Sequence, residues 1–178
     1  MGHYYKIDGT PCHKVPYADP EKGLRDTTIR DARKLNLLPS VTEILSILAK
    51  PGLENWKQQQ TMLAALTLPR IDGETDDELI KRIKQDAKEH AKEAADIGTA
   101  IHETIHAAWK GYFATGNIYS GLAALVVDYI IDLTGIDSGW ISEKPFASID
   151  LGYGGTCDLH HPEERIVIDY KTTEFHFD

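Results

Sequence analysis

The chain reads as an α/β protein of the α+β type, with helices first and a small mixed β-sheet afterwards. Two features predict this order. Up to Trp140, apolar residues recur at helical spacing behind recognisable capping residues, whereas beyond it short β-branched and aromatic runs alternate with turns. A length of 178 residues suits one domain with its own core, and 42% hydrophobic with 26% charged residues is an ordinary globular composition.

Residues 1–36 are polar and turn-rich, with Gly9-Thr10-Pro11 and Asp19-Pro20, and are expected to form an arm docked on the remainder. Ser40-Val41-Thr42-Glu43 has the pattern of a capping box, in which hydroxyl and carboxylate each satisfy a free N–H of the first turn. It opens a short helix to about Leu48, stopped by Pro51-Gly52, and a second helix follows to about Leu66 with Trp56 read as core. Thr75-Asp76-Asp77-Glu78 caps a third helix running to about Phe113. Its later half sets Ile97, Ile101, Ile105 and Ala108 on one stripe and Gly98, His102 and His106 on the next, so His102 falls between core and cleft. Leu122, Leu125, Val126, Tyr129, Ile130 and Leu133 give an amphipathic helix ended by Gly135. Three strands are then expected, from Glu143 to Asp150, from Gly154 to His161, and, after a polar turn at Pro162-Glu163-Glu164, from Ile166 to Lys171.

Asp158 and the run Asp169-Tyr170-Lys171 carry the chemistry. On a strand, residues two apart share a face, so Asp169 and Lys171 point one way and Tyr170 the other, while the hairpin brings Asp158 beside Asp169. Adjacent carboxylates repel unless a hard cation lets both stay ionised. A Mg²⁺ or Mn²⁺ ion suits them, because such ions take oxygen ligands and keep waters that can be activated beside a phosphate. Lys171 is then the cation that orients the nucleophile or stabilises developing charge. The plain alternative is an exposed Asp-x-Lys pair on an edge strand.

Two other patterns compete. His102-Glu103-Thr104-Ile105-His106 matches the zinc-peptidase motif, with two histidines one helical turn apart and a glutamate as general base. The extended version of that motif needs glycine at position 109 and histidine at 112, where the chain has Trp109 and Tyr112; Asp128 is the remaining candidate for a third ligand. Lys81, Arg82, Lys84, Lys88 and Lys92 form a basic strip on the third helix, but Glu78, Asp86, Glu89 and Glu93 alternate with it in sequence, the pattern of a helix laced with ion pairs. A non-catalytic module that grips DNA or another protein is therefore a further alternative. The net charge of −9 argues against a general nucleic-acid coat, so DNA contact would have to be local. His160, His161 and His176 are expected to face solvent or sit at strand ends. No apolar run approaches the ~20 residues of a membrane span, no signal-peptide pattern opens the chain, and Cys12 and Cys157 form no disulfide framework; a cytoplasmic location is expected.

Gly154-Gly155-Thr156-Cys157-Asp158 followed by Ile166 to Thr173 resembles motifs II and III of the PD-(D/E)xK nuclease superfamily, in its RecB-like, phage-exonuclease branch. Gly98-Thr99-Ala100-Ile101-His102 resembles the Gly-x-x-x-His helical motif of that branch. Leu38-Pro39-Ser40-Val41-Thr42 and Lys50-Pro51-Gly52-Leu53-Glu54-Asn55-Trp56 are similar to the opening of phage-type members. Cys157 stands where the family's eponymous proline would be. The resemblance implies a restriction-endonuclease-like core over residues 37–178, an exonuclease-like activity on DNA, a phage or prophage recombination setting, and a recombination partner. It also implies a metal bound by His102, Asp158, Asp169 and the Tyr170 backbone carbonyl, with Glu143 as an additional acidic group in the first strand. The family continues beyond the motif III strand into a helix with a Gln-x-x-x-Tyr motif, so the chain is expected to be truncated after that strand and weakly active by itself. Iron–sulfur clusters, found in some relatives on four cysteines, are excluded by the two cysteines present.

Overall fold

A computed structural model of the chain describes residues 3–48 and 50–172; Thr173 and His176 lie outside them. In chain order its elements are β1 (Tyr4–Tyr5), β2 (Lys14–Pro16), β3 (Leu24–Asp26), α1 (Ile29–Leu35), β4 (Leu38–Pro39), α2 (Val41–Leu45), α3 (Pro51–Thr67), α4 (Asp76–Trp109), α5 (Ser120–Thr134), β5 (Ile141–Ser148), β6 (Tyr153–His161) and β7 (Ile166–Ile168). The α+β order holds. The principal sheet is three-stranded in the order β5-β6-β7 and antiparallel throughout rather than mixed, and the parallel contact made to it is an isolated bridge between Ser40 and Gly154. The connections explain this, since turns of a few residues can join antiparallel strands only.

Helix boundaries follow their capping chemistry. Thr75 accepts from the Glu78 N–H while the Glu78 carboxylate accepts from the Thr75 N–H, so α4 starts on a full capping box. Ser40 makes half of one. Its hydroxyl accepts from Glu43 N–H at 3.0 Å, but its own N–H donates to the His3 carbonyl at 2.9 Å, so the glutamate has nothing to cap. α2 ends at Leu45, short of the expected Leu48. α4 stops at Trp109, before the expected Phe113, where Gly111 turns left-handed at φ +74°. Gly135, in the same conformation, closes α5.

The N-terminal arm is tied to the sheet. β1 pairs with β4, and Tyr4 and Tyr5 are 8% and 5% exposed. The Tyr5 hydroxyl and the Thr156 hydroxyl of β6 are 3.1 Å apart. Gly154 makes this possible, because a Cβ there would lie 2.7 Å from the Tyr5 Cβ. Ile105, Ala108 and Ala123 form a core to which Ile101, Trp109, Val126, Val127 and Tyr170 pack, so α4, α5 and the segment after β7 meet there. α5 turns a different face inward from the one its largest residues suggest: Ala123 and Ile130 are buried, while Leu125, Tyr129 and Leu133 are exposed.

Gly154→Ala is expected to destabilise the fold by about 1–3 kcal/mol, the usual effect of overpacking. Chemical denaturation would read the loss, and Tyr5→Ala in the same background should reduce it by opening the space.

Candidate metal centre

Strand register gathers the acidic residues. β5 and β6 pair with Ser142 opposite Leu159 and Lys144 opposite Cys157, which sets Glu143 directly across from Asp158. β6 and β7 pair with Leu159 opposite Ile168, so one further step would set Asp169 across from Asp158 on its other side. Continued one step, the registers would set Glu143, Asp158 and Asp169 in one row, but β7 ends before Asp169 reaches it. Like charges directly opposite destabilise a ladder, and the ladder gives way at this row: Glu143 adopts a left-handed backbone at φ 55°, and β7 ends at Ile168. A non-glycine residue in that conformation costs on the order of 1–2 kcal/mol.

α4 brings one of its faces to these carboxylates. Gly98, Thr99, His102, Glu103 and His106 line a cleft of about 420 Å³ with Glu143. A ring nitrogen of His102 and one carboxylate oxygen each of Glu143 and Asp158 all lie within 4.8 Å of one another, and His102 Nδ1 is 3.6 Å from Asp158 Oδ2. Burial pushes the Glu143 carboxyl above the usual range; the negative charge of Asp158 adds to this, while His106 and His102 oppose it. Two carboxylates and an imidazole converging from a helix and two strands form a donor set for a divalent cation.

Hydrogen bonds fix the donors. Tyr170 N–H donates to Asp158 Oδ2 at 2.7 Å, and the Ser142 hydroxyl donates to the Asp158 backbone carbonyl at 3.1 Å. Because Ser142 has one proton and gives it to Asp158, its oxygen must accept from His106 Nδ1, 2.8 Å away. His106 therefore donates to Ser142 through Nδ1. Tyr170 packs edge-on against His102, ring centroids 5.7 Å apart, and its hydroxyl accepts from Trp109 Nε1 at 2.9 Å. Burial pushes the Tyr170 hydroxyl up to about 12, so it stays neutral. Gly98 gives room to the Thr172 hydroxyl, which would lie 3.0 Å from a Cβ at that position.

Of the residues singled out from the sequence, His102, Glu143 and Asp158 come together. Asp169 and Lys171 do not join them; they pair with each other at the surface, their side chains 63% and 76% exposed. Both lie beyond the strand that was expected to align them, because the Asp158 carboxylate captures the Tyr170 N–H and draws the chain out of the ladder. The Tyr170 carbonyl receives the Lys171 ammonium at 3.5 Å. Among the described residues Glu143 is in no ion pair, and Asp128 is exposed on α5. His161 ends β6, one of the two places expected for it, and there it is 5% exposed, held between the Ser138 carbonyl and the Glu164 N–H. Ser142 was missed, although its place beside Glu143 in a strand facing Asp158 was the available signal. Compared with protein-family models, curated proteins and solved structures, the chain has no match in any of the three.

Glu143→Gln is expected to raise the melting temperature of the metal-free protein at pH 7. The folded carboxyl is raised above its unfolded value, so ionising it opposes folding as pH rises out of the ordinary carboxyl range. Below about pH 4 both states are protonated and the advantage of the variant should vanish; melts in chelator across that range would test it.

Proposed function

We propose that the protein is a divalent-cation-dependent nuclease that hydrolyses DNA phosphodiester bonds, with Mg²⁺ or Mn²⁺ held by His102, Glu143 and Asp158. The observation that carries this reading is the convergence of those three ligand atoms within 4.8 Å, from a helix and two strands, each singled out by its own sequence segment. The cation supplies an activated water and charge neutralisation at the phosphate. The chain supplies the rest. Ser142 and the Tyr170 N–H hold Asp158 from its two ends, so its carboxylate is oriented before any ligand arrives. Glu143, disfavoured as an anion, is released from that penalty by an opposing positive charge. Asp169 belongs to the reading as the carboxylate one register step from Asp158, and Lys171 as the ammonium beside it that meets the phosphate. The motif resemblance supports DNA as substrate, an exonuclease-like mode and a place in phage recombination or DNA processing within the cytoplasm. Among the described residues, no helix is long and apolar enough to cross a membrane.

The zinc-peptidase reading uses the same helix and is favoured by the presence of His102, Glu103 and His106 along one cleft. Against it, His106 is engaged by Ser142 and stands outside the three-ligand group, whose third member is Asp158.

Calorimetric titration with Mn²⁺ should show binding that His102→Ala and Asp158→Ala abolish and Ser142→Ala weakens roughly tenfold. Lys171→Ala should keep the metal and lose DNA cleavage, by about 100-fold or more. Unchanged Mn²⁺ binding in Asp158→Ala would sink the assignment. Glu103→Gln separates the two chemistries, since it should leave DNA cleavage intact, whereas peptidase activity in the parent that disappears in this variant would establish the rival.

A further inference from the structure

The face of α4 that lines the cleft continues away from it as a row of lysines. At ~100° per residue along the helix, Lys81, Lys84, Lys88 and Lys92 fall within about 40° of one line. Extended towards the C-terminal end of α4, the same line, at ~100° per residue, passes Ala95 and Thr99 and then, again within about 40°, reaches His102 and His106. Between Lys81 and His102 no acidic residue enters this stripe; Asp86, Glu89, Glu93 and Asp96 are about 80° or more away from it. The alternation of charges seen in the sequence therefore separates onto different faces once the helix is wound.

Partner choice reinforces the separation. All four lysines are exposed, and among the described residues none is in an ion pair. Their charged neighbours are engaged elsewhere: Arg82 grips Glu74 through two nitrogens at 2.6 and 2.9 Å, and His90 sits beside Asp86 and Glu93. Like charges a turn apart weaken a helix. In a chain of net charge −9, with acidic partners plentiful, four lysines without one make a surface suited to an external anion. At ~1.5 Å per residue the lysines span about 16 Å, and Lys92 lies about 15 Å from His102. The matching ligand is a polyanion whose charges repeat along a line that ends at the cleft.

We propose that this face of α4 is a track for the phosphodiester backbone of DNA, guiding one strand into the His102–Glu143–Asp158 cleft. The assignment of the ligand as DNA rests on the nuclease reading; the track itself is tested separately. Fluorescence anisotropy of a labelled DNA oligonucleotide, measured in Ca²⁺ to avoid turnover, should give an affinity that falls with salt. In the combined variant K81Q/K84Q/K88Q/K92Q, whose glutamines keep helix propensity, the slope of log affinity against log salt should drop by about 3, at 0.7–0.9 per phosphate contact. A control, K14Q/K22Q/K34Q, removes lysines outside α4 and should leave the slope unchanged; circular dichroism would verify both folds. A drop of less than one unit, an equal loss in the control, or no salt-dependent binding by the parent would overturn the track. The two readings fail differently. If the α4 variant loses DNA while His102→Ala binds Mn²⁺ like the parent, the track stands and the metal site falls; if His102→Ala loses Mn²⁺ and the α4 variant binds DNA normally, the track falls alone.

Discussion

Like-charge repulsion across the sheet shapes the centre of this molecule. The pairing of β5 with β6 and of β6 with β7 is set by apolar residues on either side, with Leu159, fully buried, as the pivot of both ladders. That register sets Glu143 across from Asp158 and, one step further, would set Asp169 on its other side whether or not their charges favour it. The backbone yields where side-chain burial does not. Glu143 turns left-handed, β7 stops one residue before the row, and Asp158, placed between them, is steadied by hydrogen bonds from Ser142 and Tyr170. Strain concentrated where polar groups converge is the pattern expected of a functional site.

Much of this could be read from the residues alone. Thr75 and Glu78 announced the start of α4, and Gly135 the end of α5, because caps and left-handed stops are local chemistry that sequence records directly. His102 fell at the boundary between core and cleft because a helix has a fixed period. What escaped were contests between a local rule and a distant partner. Ser40 has the right neighbours for a full capping box, yet its N–H is taken by His3, far off in the chain. Asp169 and Lys171 sit in residues suited to a strand, yet a carboxylate on β6 offers the Tyr170 N–H a better acceptor than the ladder. The apolar stripe of α5 divides: Val126 and Ile130 turn inward with Ala123, while Leu125, Tyr129 and Leu133 stay exposed, because the core packs one side of the stripe.

The length of α4 ties two parts of the molecule together. Its first half carries unaccompanied lysines and its second half faces the acidic row, so a single rigid element spans positive and negative surfaces. The helix carries more acidic than basic residues, yet its four lysines are gathered on one stripe of its circumference. Net charge is therefore a poor guide to what the surface does locally.

The contact between Tyr5 and Thr156 bridges 151 residues. A nascent chain emerging at about 5–20 residues per second would expose the Tyr4-Tyr5 pair for roughly 8–30 seconds before β6 could cover it. Loop closure over so long a stretch also makes this docking late in folding. A segment made well before β6 is thus fully secured only once β6 has formed. Until then the two tyrosines keep in water ring surface that the finished fold buries.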